Sequence, residues 1–195
     1  MTTPAHVPAA ATSTDETLMT RLRRRWPTLA GVALAGLVGY DLAGGADLAP
    51  VLVASGLIYL GAAALGRPAA AWPLFFGTFV VMTIANVLGG PDPTWILIGL
   101  AVLLAGYGVV RGAGRRPDDM RQAVAMVVVG AAAIVALVAG GTLGSYLVAA
   151  GLLAHAAWDA YHHRVNRVVV RSLAEFCLAL DTALAVVIVI VTMRQ

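Results

Sequence analysis

Apolar residues run through this chain in blocks of about twenty, the helical length that crosses a ~30 Å hydrocarbon layer. The blocks cover 28–45, 48–65, 70–89, 94–110, 122–140, 142–161 and 172–193, and are separated by short stretches of Gly, Pro, Arg or acid. They are apolar on every face and lack the two-residue alternation of a lipid-facing strand. The pattern therefore predicts an all-α polytopic integral membrane protein with about seven transmembrane helices. Its expected organisation is a disordered cytoplasmic tail with a basic juxtamembrane segment over 1–26, then a single seven-helix transmembrane domain over 27–195. The opening MTTPAHVPAAATSTDETLMT is small, polar and Pro-containing, which suits a tail in which His6 is solvated.

Composition strengthens this reading. Hydrophobic residues make up 60% of the chain and charged residues 12%, with a mean hydropathy of +0.86. A soluble domain is roughly half apolar and a quarter charged.

All thirteen basic residues other than histidine are arginines, and their spacing orients the chain. Arg21, Arg23, Arg24 and Arg25 precede the first block, and Arg67 follows the second. Arg111, Arg115, Arg116 and Arg121 lie between the fourth and fifth, and Arg164, Arg167 and Arg171 between the sixth and seventh. The alternate connections have none, and only Arg194 falls on the other side. Arginine-rich connections stay in the cytoplasm, so the N-terminus is expected inside and the C-terminus outside, in a plasma membrane of the bacterial inner-membrane type. The same alternation argues against removal of the first block as a signal peptide. The pI of about 9.5 then reflects arginine at an anionic leaflet and not nucleic-acid binding.

Chemistry must be sought among polar groups that a bilayer makes costly. Asp41 and Asn86 fall near the outer ends of their blocks, whereas His155, Asp159, His162, Glu175 and Asp181 all fall in or at the edge of the last two. The segment HAAWDAYHHR, residues 155–164, holds three of the four histidines. At 100° per residue His155, Asp159 and His162 share one narrow stripe if the helix continues that far, and His163 lies off it. Glu175, roughly one turn inside an antiparallel seventh helix, can stand opposite them. Two imidazoles and one or two carboxylates suit a divalent transition metal such as Zn, Mn or Fe, so His155, Asp159, His162 and Glu175 form the expected ligand set. The corresponding function is a metal-binding membrane protein, extended to an enzyme acting on a lipid-soluble substrate.

Two other readings stand beside it. Asp181 near mid-span and Glu175 suggest a relay for a proton- or cation-coupled transporter, although six residues place them on nearly opposite faces. A structural or partner-binding role requires only local pairs, Glu175 with Arg171 and His155 with Asp159. Haem is not expected, because histidine occurs in only one of the blocks, and no GxxxxGK loop is present to hold a nucleotide. Ser145 lies about 15 Å along the helix from His155, which excludes a catalytic dyad between them. The lone Cys177 allows no internal disulfide. Trp26, Trp72, Trp95, Trp158 and Tyr161 read as an interfacial aromatic belt. The expected partners are the lipid bilayer and either a second copy of the chain or a membrane subunit.

Overall fold

The structure is a computed structural model that describes residues 19–20, 22–112 and 116–195. Most of the tail expected over 1–26, including His6 and Arg21, lies outside the described residues, as does Arg115. Seven α-helices and two 3₁₀ turns make up the described fold, with no strand among the described residues. The helices are α1 (Trp26–Gly39), α2 (Ala49–Leu65), α3 (Ala71–Val87), α4 (Pro93–Val110), α5 (Pro117–Ala139), α6 (Gly141–Val165) and α7 (Arg171–Thr192). The 3₁₀ turns, Gly45–Leu48 and Pro68–Ala70, lead into α2 and α3.

The helix ends follow from local chemistry. Pro27, Pro50, Pro93 and Pro117 occupy first turns, where a missing N–H costs nothing. The Asp92 carboxylate accepts from the Thr94 N–H at 2.8 Å and caps α4. Gly66 ends α2 in the left-handed conformation, and Asn166 does the same for α6 at φ 51°. Val168, two residues on, holds φ 70°, a strained value for a β-branched side chain. Its neighbour Val169 is buried in the core and anchors that turn between α6 and α7.

Among the described residues, five stretches are long and apolar enough to cross a membrane: Gly45–Leu65, Pro68–Val87, Pro93–Val110, Pro117–Ala139 and Arg171–Thr192. The other two expected spans depart for different reasons. Helix α1 is apolar but has 14 residues, about 21 Å. Helix α6 has ample length, 25 residues, but His155, Asp159, His162 and their neighbours lower its hydropathy. Large apolar side chains such as Leu103, Val127 and Val138 are exposed along the helices. An apolar exterior of this extent matches contact with lipid rather than water.

Helix α2 is buried on almost every face and packs against α3, α4, α5 and α6. Its sequence VLVASGLIYLGAAAL is apolar on every face apart from Ser55 and the Tyr59 hydroxyl, as suits a helix enclosed by other helices. Helix α7 is held between α6 and α1. Close approach of α1 depends on Gly31, where an added Cβ would collide with the Phe176 carbonyl oxygen and stand 3.1 Å from the Leu180 nitrogen. Both obstacles are backbone, so no rotamer change relieves them. Gly31→Ala is therefore expected to cost about 1–3 kcal/mol by overpacking. Gly36→Ala, where nothing lies within 4 Å, should be neutral or slightly stabilising. Thermal unfolding in detergent compares the two, and an unchanged midpoint for Gly31→Ala would contradict the packing.

One end of the bundle gathers the arginines. Arg67, Arg111 and Arg116 line one polar hollow there, Arg167 reaches Asp118 at 3.7 Å, and Arg25 lies 3.6 Å from Glu175. The opposite end is closed by the turn before α2, where Gly45 packs against Ser145 and Ile188.

Candidate metal centre

Between α2, α6 and α7 lies a cluster of buried ionisable groups. His155 and Asp159 are one turn apart on α6, and Asp181 faces them from about 15 Å along α7. The three side chains are at most 4% exposed. His155 Nδ1 stands 3.0 Å from Asp181 Oδ2 and 3.3 Å from Asp159 Oδ2. Tyr59, from the middle of α2, donates its hydroxyl to Asp159 Oδ1 at 2.6 Å. One donor atom from each of His155, Asp159 and Asp181 falls within 4.8 Å of the others, an arrangement that could hold a metal ion.

Hydrogen bonding leaves this cluster incomplete. A single proton on Nδ1 can go to one carboxylate only, and the better geometry is toward Asp181. Asp159 Oδ2, Asp181 Oδ1 and His155 Nε2 then have no hydrogen-bond partner, although all three are buried. Buried polar atoms are nearly always satisfied. Three adjoining buried residues thus each keep an atom without a partner among the described residues, an arrangement that is compatible with a bound cation. With its proton displaced, His155 Nδ1 at 3.0 and 3.3 Å from the two carboxylate oxygens falls within the roughly 2.8–3.6 Å that separates donors on one ion at bond lengths of about 2.0–2.2 Å and right or tetrahedral angles.

His162 belongs to a different circuit. Its Nδ1 lies 2.9 Å from the Trp158 carbonyl oxygen, which can only accept, so Nδ1 carries the proton. Its Nε2 then accepts from the Gln122 amide at 3.2 Å, while Gln122 Oε1 accepts from the Trp158 indole N–H at 3.2 Å. The circuit is closed, neutral and buried. His162 meets the first cluster through Tyr59, whose ring packs edge-on against His155 at 5.3 Å and His162 at 4.9 Å. Glu175 lies on another face of α7, where Thr28 donates to its Oε1 at 2.6 Å and Arg25 approaches at 3.6 Å. His163 donates from Nδ1 to the Arg171 carbonyl at 3.2 Å.

The structure thus brings His155, Asp159 and Asp181 together, sets His162 beside them on separate partners, and places Glu175 with α1. Tyr59 and Gln122 are the participants that the sequence reading did not single out. Only Tyr59 carried a signal, a polar group inside an apolar block: it sits in GLIYLGAAA, away from the span ends where Tyr is ordinary, whereas Gln122 stands at the edge of its block beside Arg121. Of the expected belt, Trp158 is part of the Gln122 circuit. Trp26 stacks on Trp72 at 5.6 Å, and Trp72 also donates to Ser172 at 3.1 Å. No protein-family model matches the chain, and comparison with curated proteins and with solved structures gives no match.

Proposed function

We propose that the chain is a membrane metal protein in which His155, Asp159 and Asp181 hold a divalent transition metal, Zn, Mn or Fe. The observation that carries this is a buried trio of residues that brings one donor atom from each within 4.8 Å of the others, each residue also keeping a buried atom without a hydrogen-bond partner. Charge supports it: a neutral imidazole with two carboxylates carries two negative charges, which a divalent ion cancels in a region where net charge is costly. Tyr59 is the orienting donor for Asp159, in the way ligating carboxylates are commonly fixed from behind. In this reading His162 and Glu175 lie outside the ligand set. Metal analysis of the purified protein tests the proposal directly.

We extend the reading to an enzyme acting on a lipid-soluble substrate. What supports this is an apolar groove between α5 and α6, lined by Val124, Val128, Gly151, His155 and Trp158. It leads from the outer surface of the helices to the edge of the cluster. A bound metal would act there as a Lewis acid toward a carbonyl or an activated water. Proton- or cation-coupled transport is the second reading, favoured by the continuous chain Asp181, His155, Asp159, Tyr59. Glu175 does not belong to that chain. Flux in liposomes that is lost in Asp181→Asn, without any bound metal, would support transport instead.

The topology we infer has seven spans, with α1 and α6 crossing alongside the five long apolar stretches. The N-terminus lies in the cytoplasm, the C-terminus outside, and the membrane is the bacterial inner membrane. The gathering of arginines at one end supports it. A membrane-impermeant maleimide should label Pro91→Cys in intact cells and Arg116→Cys only after lysis. Labelling of both from one side would overturn the arrangement.

A further inference from the structure

A second site lies on the far side of α7, away from the triad. Here a cleft of about 800 Å³ runs along α7 between α1 and the end of α6. Its floor toward the middle of the bundle is apolar and shallow-sided, with Leu178, Ala183, Val186 and Val187. From Glu175 to Val187 it extends about 18 Å, slightly more than half of the ~30 Å hydrocarbon core. The mouth, at the arginine-rich end, is polar and carries both signs: Arg25, Arg164 and His163 beside Glu175.

The two signs are separately available. Thr28 and Arg25 both engage Oε1 of Glu175, which leaves Oε2 for a ligand. Arg164 is exposed and takes part in no ion pair or hydrogen bond among the described residues. A ligand that fits must bring an anion for the arginine, a cation with N–H groups for the carboxylate, and an apolar chain for the floor. We propose that this cleft binds one aminophospholipid of the ethanolamine type. Its phosphate lies on Arg164 with Arg25, its ammonium on Glu175, and an acyl chain along α7. Choline lipids have no N–H to donate to Glu175, and glycerol lipids bring no cation at all. Charge-assisted hydrogen bonds of this kind are about twice as strong as neutral ones, so headgroup discrimination is the natural readout. The site is independent of the metal reading and stands or falls without it.

Native mass spectrometry of the full chain, purified from nanodiscs holding equal amounts of phosphatidylethanolamine, phosphatidylcholine and phosphatidylglycerol, tests the proposal. The wild type should retain the ethanolamine lipid several-fold over the other two. Glu175→Gln, which can still accept from Thr28, should bring ethanolamine and choline lipids level. Arg164→Ala, at an exposed position that folding does not need, should lose retention of all three. Equal retention in the wild type overturns the proposal. So does a preference for phosphatidylglycerol that Glu175→Gln leaves unchanged, which would reduce the mouth to a general anionic-lipid patch.

Discussion

Elemental analysis is expected to find a divalent transition metal at near-stoichiometric level in the wild-type protein, and almost none in His155→Ala. His155 is chosen because its Nδ1 is the atom that both carboxylates approach, at 3.0 Å from Asp181 and 3.3 Å from Asp159. Without it two carboxylates face each other in a buried site, which is costly for folding as well as for binding. His155→Gln therefore accompanies it, since a glutamine amide can still donate to one carboxylate and preserve packing while supplying a poor ligand. Both variants should lose the metal. His162→Ala should keep it, because both nitrogens of His162 are already engaged by Trp158 and Gln122. Equal loss in His155→Ala and His162→Ala would mean that the ligand set is the α6 stripe and not the triad across to α7. A wild type that takes up no metal even when supplemented would remove the metal reading and leave the hydrogen-bonded chain to transport.

That contrast also marks where the sequence could be read and where it could not. The helical character and nearly all helix positions were legible because apolar runs with Pro and Gly at their ends admit few other structures inside lipid. Helix periodicity put His155, Asp159 and His162 on one stripe, and they do share a side of α6. Periodicity says nothing about what stands opposite. Whether Glu175 or Asp181 faced α6 depended on how α7 is rotated, and that rotation follows from the packing of α1 on its other side through Gly31. Asp181 is consequently turned inward and Glu175 toward Thr28 and Arg25. The contribution of Tyr59 was beyond reach for another reason. It lies a hundred residues from Asp159, on a helix whose sequence is apolar apart from Ser55, and only the tertiary arrangement brings the pair to 2.6 Å. The count of spans shows the same limit: α6 falls below the hydropathy of an ordinary span because it carries the site.

Tyr59→Phe is expected to have the second-largest effect, and it separates an orienting role from a structural one. The substitution keeps the ring that packs against His155 and His162, so core volume is essentially unchanged. What is lost is one buried hydrogen bond to a carboxylate, which leaves Asp159 Oδ1 without a donor. Such a loss costs about 1.5–3 kcal/mol of stability. A group that holds a ligating carboxylate in place also typically accounts for about 10–100-fold in metal affinity. Thermal unfolding and a competitive-chelator titration should therefore move together: a lower melting point, with metal still bound but more weakly. A lower melting point at unchanged affinity would make Tyr59 a structural prop for α6. Weakened binding that Asp159→Asn reproduces, and that does not deepen when the two substitutions are combined, would place both residues in one unit, Tyr59 acting on the metal only through the carboxylate it holds.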